Sequence, residues 1–267
     1  GVLPQNHELF RQADPYGKAS LEECVNTIAT LPLLHQPDAM FTYGAQTNFV
    51  GRIVEIISGE KLDQYVTKNI LNPLKMANTS WIVPEADTVK LATGYSGDGN
   101  LAIAFAPQRQ SMPYALGTNG LSSTTEDYFR FAQMLLNGGE LDGARILKSE
   151  TVKLMTTDQL PEALHPLNAI GAPFPNTGFG LGIAVLNGDP KNWEPAEFSF
   201  PNFCNLPGGS YYWPGVTGTY WFVDPVNEVI CVLLTQTNAP PATPIFQEFH
   251  QTFYTHTIYK DDLRAAN

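Results

Sequence analysis

Residues 219–235 read TYWFVDPVNEVICVLLT and give the clearest indication of the fold. Two runs rich in β-branched and aromatic residues, 219–223 and 229–235, flank a short segment that contains Pro225 and Asn227. Such runs favour β-strands, and Pro and Asn favour the turn between them. The stretch therefore predicts an antiparallel β-hairpin.

The sequence on either side of this hairpin predicts a closing helix and a long irregular segment. Apolar residues within 244–259 recur at helical spacing, which predicts a terminal helix that covers one face of the sheet. Upstream, residues 157–214 are rich in Pro and Gly, and only 179–186 resembles a strand. We expect this segment to be a long, ordered surface excursion.

The first half of the chain is predicted to be mainly helical. Ser20 and Glu23 have the spacing of a capping box at the start of one helix. A second helix is predicted over 47–57, where apolar residues share one face that we expect to lie in the core. That face contains Val50, Ile53, Val54 and Ile57. Further helices are predicted over 62–71, from 124–127 to about 136, and over 149–155.

Helices in the first half and antiparallel strands with a closing helix in the second half define an α+β fold. The change of pattern divides the chain into two regions. Residues 1–156 form a mainly helical region, and residues 157–267 hold the long excursion, the strands and the terminal helix.

The composition excludes several classes of partner. The 267 residues contain 15 Lys and Arg against 26 Asp and Glu, a net charge of −11. Without a run of cations the chain does not neutralise phosphates, so we expect no nucleic-acid partner. The longest apolar run, 229–234, is far shorter than the about 18 residues that a membrane-spanning helix needs. We therefore expect no membrane span.

The sequence predicts neither a metal nor a cofactor. Its five histidines do not have the spacing of a metal site, and no phosphate-binding loop is present. Cys24, Cys204 and Cys231 lie far apart without a C-x-x-C pair, so we interpret them as buried thiols.

No serine in the sequence lies in a convincing nucleophile motif. The G-x-S-x-G elbow is absent. Ser58 and Lys61 match S-x-x-K literally, but Gly59 between them favours the end of a helix, which would separate the two side chains. We interpret this match as a coincidence.

Four segments, in order along the chain, resemble motifs of the serine β-lactamase-like family. This family includes class C β-lactamases, D-alanyl-D-alanine peptidases and related carboxylesterases. The first segment resembles the family's tyrosine motif and the helix after it, and the last resembles its third catalytic motif. The segments are FTYG at 41–44 with NFVGRIVEIISG at 48–59, ILNPLKMANT at 70–79, GLSSTTEDYFRF at 120–131, and WPG at 213–215 with TGTYWFVDP at 217–225.

The resemblance implies an acyl-serine mechanism. In this family a serine attacks a carbonyl carbon, a lysine one helical turn later and a tyrosine carry the proton, and two backbone N–H groups hold the oxyanion. By resemblance Tyr43 takes the tyrosine role, and Val216 supplies one of the N–H groups. The third motif is implied to lie on an edge strand beside the cleft, where Trp213 and Gly215 contact the substrate.

Three departures from the family pattern narrow the expected activity. In this family the nucleophile motif normally precedes the segment that matches the start of this chain. We therefore expect the nucleophilic serine and its lysine to lie outside this sequence. A second polypeptide that carries S-x-x-K is one way in which they could be supplied. Ala45 stands where β-lactamases and peptidases carry Asn, and Trp213 stands where they carry Lys. Both changes favour a small-molecule ester or another neutral acyl substrate.

The sequence therefore predicts a carboxylesterase of this family that is incomplete without its nucleophile. Two alternatives remain open: a penicillin-recognising peptidase or weak β-lactamase, and a catalytically inactive binding module of the same fold. If the first strands of the sheet are missing, the hairpin at 219–235 is expected to expose an unpaired edge or an apolar face.

Overall fold

The computed structural model describes residues 8–96, 113–169, 172–188 and 206–238. A π-helical turn, Thr67–Leu71, continues the fourth α-helix, and short 3-10 turns cover Pro15–Gly17, Glu85–Lys90 and Glu162–Leu164. The α-helices within the described ranges are α1 (Glu8–Ala13), α2 (Leu21–Ala29), α3 (Gln46–Ser58), α4 (Leu62–Val66), α5 (Thr125–Leu136) and α6 (Ser149–Met155).

The strands of the same ranges form a five-stranded sheet and three two-stranded ladders. They are β1 (Tyr95–Ser96), β2 (Glu140–Leu141), β3 (Ala144–Arg145), β4 (Leu167–Ala169), β5 (Ala172–Phe174), β6 (Thr177–Phe179), β7 (Ala184–Leu186), β8 (Tyr211–Pro214), β9 (Tyr220–Asp224), β10 (Val229–Leu233) and β11 (Thr237–Asn238). The main sheet is antiparallel in the order β10-β9-β8-β7-β6. The ladders pair β1 with β11, β2 with β3, and β4 with β5.

The hairpin predicted from 219–235 is confirmed as β9 and β10, with Phe222 opposite Cys231. The Asp224 carboxylate accepts hydrogen bonds from the backbone N–H groups of Val226 and Asn227 over 2.9 and 3.0 Å, which closes the turn. Among the described strands β10 pairs with β9 alone, so it lies at one end of the strand order of the main sheet.

The predicted irregular excursion over 157–214 is wrong. The described part of this segment contains strands β4 to β8, and three of them belong to the main sheet. The single strand predicted over 179–186 is instead a tight hairpin between β6 and β7, with Gly182 in the left-handed conformation (φ 91°). Strands of three or four residues between glycines are too short for a period-2 pattern to be recognised.

The helices predicted in the first half are confirmed. The Ser20 hydroxyl accepts the Glu23 N–H over 3.1 Å, and the Thr124 hydroxyl accepts the Asp127 N–H over 3.2 Å, so both helix starts are capped. The helix predicted over 62–71 is present as α4 and the π-helical turn. The helix predicted over 244–259 lies outside the described residues, and the division at residue 156 stays a prediction.

The predicted core face of α3 is wrong. Val50, Ile53 and Ile57 are 58%, 52% and 81% exposed, and Val54 is half-buried. Polar contacts set the orientation of the helix instead. The buried residues of α3 are Asn48, Gly51 and Glu55.

Hydrogen bonds and a close approach explain this orientation. The Asn48 side-chain oxygen accepts the Thr118 N–H over 3.1 Å, and the Glu55 carboxylate accepts the Leu62 N–H over 3.1 Å. A Cβ at Gly51 would lie 2.8 Å from Leu62 Cδ2, so the glycine allows α3 to approach α4 closely. These contacts need Asn48, Gly51 and Glu55 to face inward, and the aliphatic residues are left outside.

Two apolar clusters cover the two faces of the main sheet, and the side chains of β9 alternate between them. Tyr220 and Phe222 join a cluster that includes the β4–β5 ladder, whereas Trp221 and Val223 join a cluster that includes α5 and α6. The helices and the small ladder therefore hold the sheet from opposite sides.

Two of the three cysteines lie in the described residues. Cys24 and Cys231 are free and buried, as predicted, and Cys204 lies outside the described ranges. No helix within the described ranges has the length and apolar character needed to cross a membrane.

Candidate functional site

Tyr43 lies in the loop directly before α3 and is half-buried. Its neighbour Thr42 is held at two atoms: His35 Nε2 lies 2.5 Å from Thr42 Oγ1, and the Gln46 side-chain amide donates to the Thr42 carbonyl over 2.9 Å. His35 Nδ1 also contacts the Gln36 carbonyl over 2.9 Å, so this ring nitrogen carries a hydrogen and donates it to the carbonyl oxygen. These bonds fix the backbone on which Tyr43 is placed.

Trp213, near the end of β8, contacts Tyr43 directly. Its indole Nε1 donates a hydrogen bond to the Tyr43 hydroxyl oxygen over 3.2 Å. The two ring centroids are 5.2 Å apart with the planes inclined by 44°. This bond uses one lone pair of the phenol oxygen, so the Tyr43 O–H can still donate and its second lone pair can still accept.

Three phenylalanines pack around these two residues. Phe174 stacks on Trp213 at 6.1 Å with the planes inclined by 12°, and Phe179 meets Trp213 at 5.2 Å and 82°. Phe41 in turn contacts Phe179 at 5.0 Å. We call Phe41, Tyr43, Phe174, Phe179 and Trp213 the aromatic cluster. Stacked and edge-on contacts of this kind hold the indole in one orientation.

The third motif does not lie on an edge strand, which corrects the expectation from the resemblance. β8 is the central strand of the main sheet. The ladder between β7 and β8 ends where Ala184 lies opposite Tyr212, so Trp213 pairs only with Trp221 of β9. Because β7 begins only at Ala184, the end of β8 that carries Trp213 is paired on one side among the described strands.

Gly215 and Val216 lie in the tight turn between β8 and β9. The Gly215 N–H donates to the Thr219 carbonyl over 2.7 Å, and the Gly218 N–H donates to the Gly215 carbonyl over 3.0 Å. A Cβ at Gly215 would lie 1.9 Å from Thr219 Oγ1, so this turn favours glycine. Val216 is 73% exposed, and its backbone N–H donates to no residue in the described ranges.

The other tyrosines of β8 are buried. Tyr211 is 3% exposed, and Tyr212 is fully buried and shares a hydrogen bond with Thr177 over 3.2 Å. Burial raises the pKa of both phenols above the ordinary value, so both are neutral at physiological pH. Both phenols are therefore enclosed in the core, whereas Tyr43 is only half-buried.

Ser58 and Lys61 do not form a nucleophile pair, as predicted. Ser58 is the last residue of α3, Gly59 is left-handed (φ 71°), and Lys61 precedes α4. The Ser58 hydroxyl donates to the Val54 carbonyl over 2.6 Å and accepts the Glu60 N–H over 3.1 Å. The two side chains therefore do not share a helical turn.

The structure brings Tyr43 and Trp213 together and places Gly215 and Val216 in the adjoining turn. The other three members of the aromatic cluster, Phe41, Phe174 and Phe179, were not predicted as site residues. Phe41 lies in the tyrosine motif itself, two residues before Tyr43. Phe174 and Phe179 lie in β5 and β6 of the segment that was predicted to be irregular, and the turn residues Pro175 and Asn176 between them were the available signal that one strand ends and the next begins there. In the described part of the chain, no group of three or more His, Cys, Asp or Glu side chains is placed to hold a metal ion.

An antiparallel sheet with helices on one face agrees with the fold class of the β-lactamases and penicillin-binding proteins. The chain belongs to the Beta-lactamase family, whose sequence model matches residues 2–249.

Similar proteins include bacterial and fungal members of this family. Protein Rv1367c of Mycobacterium tuberculosis is 34% identical over 227 residues, which are 83% of this chain and 55% of that protein. A putative D-alanyl-D-alanine carboxypeptidase of Escherichia coli is 29% identical over 245 residues, with 83% and 51% coverage. Lovastatin esterase of Penicillium rubens is 26% identical over 257 residues, with 88% and 60% coverage.

A solved structure confirms the fold. EstCE1, described as a hydrolase with promiscuous acyltransferase activity, superposes with a TM-score of 0.70 at 24% sequence identity, covering 90% of this chain and 64% of that one. The chain spans about half the length of the first two curated relatives.

Proposed function

We propose that this chain supplies the tyrosine and oxyanion side of a serine carboxylesterase, whose nucleophilic serine and lysine lie on polypeptide outside this sequence. The observation that carries the proposal is the hydrogen bond from Trp213 to Tyr43 inside the aromatic cluster. An uncharged ring stands where the family's β-lactamases and peptidases carry a lysine. A substrate carboxylate would find no cation at this position, whereas a neutral ester needs none.

Each site residue has a role in the proposed reaction. The serine oxygen attacks the ester carbonyl carbon, and its proton passes to the pair formed by Tyr43 and the lysine. The Val216 N–H and a second backbone N–H hold the negative oxygen of the tetrahedral intermediate. The proton then passes to the alkoxide as the C–O bond breaks, which leaves an acyl-serine that water hydrolyses. Trp213 offers an apolar surface to the acyl chain or the alcohol.

The relatives give further support to an ester substrate. Lovastatin esterase is named for such an activity and matches 88% of this chain. Ala45, two residues after Tyr43, is 6% exposed and carries no group that could bind a substrate amide.

The test is the intact mass of the purified gene product under denaturing conditions, before and after treatment with a fluorophosphonate that labels activated serines. An adduct on a polypeptide heavier than 29.3 kDa, or on a second co-purifying polypeptide, supports the proposal. An adduct on the 29.3 kDa chain itself places the nucleophile inside this sequence and contradicts it. The absence of any adduct supports an inactive binding module instead.

A penicillin-recognising peptidase or weak β-lactamase is the second candidate, because the E. coli relative is named a putative D-alanyl-D-alanine carboxypeptidase. Untreated protein from the preparation that accepts the label distinguishes the two candidates when p-nitrophenyl butyrate and nitrocefin are compared as substrates. We expect faster hydrolysis of the ester. A higher kcat/KM for nitrocefin would reject the esterase assignment.

A further inference from the structure

The turn between β8 and β9 directs one backbone N–H group outward. Val216 is 73% exposed, whereas Thr217, the next residue, is only 4% exposed. The Gly215 carbonyl accepts the Gly218 N–H over 3.0 Å, so this carbonyl points into the turn. A trans peptide unit is planar, with its N–H opposite its C=O, so the Val216 N–H points out of the turn. In the described part of the chain no acceptor binds this N–H.

The segment that follows β10 holds the two carbonyl groups that come after Val216. The Thr235 hydroxyl lies 2.7 Å from the Gly218 carbonyl oxygen and 3.3 Å from the Thr217 carbonyl oxygen. A hydroxyl has one hydrogen to donate, so the shorter contact is the stronger hydrogen bond. The Thr237 N–H donates to the Thr217 carbonyl over 2.8 Å. Residues 235–237 therefore bind the backbone of the turn at two successive peptide units.

The segment around Thr235 is itself anchored, and it approaches the turn closely. The Tyr95 N–H donates to the Gln236 carbonyl over 2.8 Å, and β1 pairs with β11 in parallel. A Cβ at Gly218 would overlap the Thr235 hydroxyl oxygen, so glycine at this position lets the hydroxyl reach the backbone. Strand pairing thus holds Thr235 on one side, and its half-buried side chain binds the turn on the other.

We propose that Thr235 is a positioning residue for the oxyanion-binding N–H of Val216. This inference rests on the proposed function, in which the Val216 N–H binds the negative oxygen of the tetrahedral intermediate. The Thr235 hydroxyl holds Gly218, and the Gly218 N–H holds the Gly215 carbonyl. The direction of that carbonyl in turn fixes the direction of the Val216 N–H. Thr235 acts through these groups and does not contact the substrate.

The direction of an oxyanion donor matters most in the transition state. A hydrogen bond weakens steeply as it departs from linear geometry, and the carbonyl oxygen gains its full charge only as the tetrahedral intermediate forms. Loss of a whole oxyanion donor lowers kcat by about a hundredfold to a thousandfold. A donor that remains present in a looser turn is expected to cost less. The effect of Thr235 is therefore expected in kcat and not in KM.

The test compares Thr235→Ala, which removes the hydroxyl, with Thr235→Ser, which keeps it. Both variants lose the methyl group, so the difference between them reports on the hydroxyl. Thr235→Val, which keeps the volume and loses the hydroxyl, is a second variant. Thr88→Ala is the control, because the Thr88 hydroxyl donates to the Glu85 carbonyl over the same 2.7 Å but lies in the 3-10 turn Glu85–Lys90, outside the candidate site.

Each substitution is made in the complete gene product, and hydrolysis of p-nitrophenyl butyrate gives kcat and KM. Circular dichroism checks that the variants are folded. We expect Thr235→Ala and Thr235→Val to lower kcat about tenfold with KM within about twofold of wild type, and Thr235→Ser and Thr88→Ala to keep kcat within about threefold. Wild-type kcat in a folded Ala or Val variant overturns the proposal. An equal loss in the Ser variant or in Thr88→Ala, or a loss confined to KM, overturns it too.

Amide hydrogen exchange in the turn at 215–219 measures the positioning without any chemistry. We expect faster exchange in Thr235→Ala than in Thr235→Ser, because only the serine can still bind the Gly218 carbonyl. Unchanged exchange together with a lowered kcat would show that the hydroxyl acts by another route, and would overturn the positioning role.

The two proposals fail in distinguishable ways. A wild-type gene product that neither accepts the fluorophosphonate nor hydrolyses the ester contradicts the proposed function, and the role of Thr235 with it. Ester hydrolysis by wild type that is equally fast in Thr235→Ala leaves the proposed function intact and overturns the role of Thr235 alone.

Discussion

Trp213 Nε1 donates a hydrogen bond to the hydroxyl oxygen of Tyr43 over 3.2 Å, and these two residues lie 170 positions apart in the chain. The bond joins the loop before α3 to the central strand of the main sheet. It therefore connects the tyrosine motif and the third motif, and places the Tyr43 hydroxyl at the strand end that leads into the turn with Val216.

The energy of this bond is measurable without any enzymatic activity. We expect Tyr43→Phe and Trp213→Phe each to lower the free energy of unfolding, with a coupling energy of about 1 kcal/mol between them, because either change removes the same hydrogen bond. Urea unfolding of wild type, both single variants and the double variant gives this value. Additive effects of the two substitutions would show that the bond contributes nothing to stability.

Asp127 is predicted to be a major contributor to stability in the helical part. Its side chain is almost fully buried and accepts the Asn78 N–H over 2.7 Å and the Thr79 hydroxyl over 2.8 Å. Asp127→Ala leaves both donors without a partner. We therefore expect the free energy of unfolding, measured by urea titration, to fall by roughly 3 kcal/mol. Glu126→Ala, at the exposed neighbouring position, is the matched control. An equal loss for both variants would contradict this role.

Cys231 is expected to resist alkylation in the folded state. Burial raises the pKa of its thiol to about 12, so the reactive thiolate is scarce at pH 8. Iodoacetamide with peptide mapping should modify Cys231 slowly in buffer and rapidly in urea. The unfolded thiol ionises near its ordinary value of 9.0, so this residue also lowers the stability of the fold as the pH rises from about 9 toward 12. Rapid native alkylation would contradict the burial of Cys231.

Asp142 makes a contribution that depends on pH. Hydrogen bonds from Arg130 over 2.6 Å and Lys75 over 3.4 Å hold the pKa of its carboxyl below the ordinary value of 3.8. The carboxylate therefore stabilises the fold above pH 3.8, and this contribution is lost as the pH falls through the lower, folded-state pKa. We expect Asp142→Asn to lower the Tm at pH 7 and to match wild type at pH 2. High salt should shrink the difference at pH 7, because both partners are exposed or half-exposed. A Tm difference that does not change between pH 7 and pH 2 would exclude this ionic origin.

Local sequence signals predicted the hairpin at 219–235 and five of the six α-helices in the described ranges. The hairpin at 219–235 has long β-branched runs around a turn, and the helices that begin after Ser20 and Thr124 have side-chain caps. Such features depend on residues within a few positions of each other, so they can be predicted without knowledge of the tertiary structure. The four ordered motifs likewise identified the family and singled out Tyr43 and Trp213.

Features that depend on distant residues were not predictable. The apolar pattern of α3 indicated that its aliphatic residues are buried. Instead Asn48 and Glu55 accept hydrogen bonds from Thr118 and Leu62, so the polar side of the helix faces the core. Three short strands of 157–214, β6 to β8, join the main sheet because β8 pairs with both β7 and β9, although their own sequences carry little strand signal.

The sequence by itself determined the α+β class, the family and the candidate tyrosine, because these follow from patterns along the chain. Only the tertiary structure decided that the Trp213 indole donates to Tyr43, that Phe174 and Phe179 enclose it, and that α3 presents its aliphatic side outward. Each of these relationships is set by packing between segments far apart in sequence, where the free energy of burying one face depends on what the rest of the chain places against it.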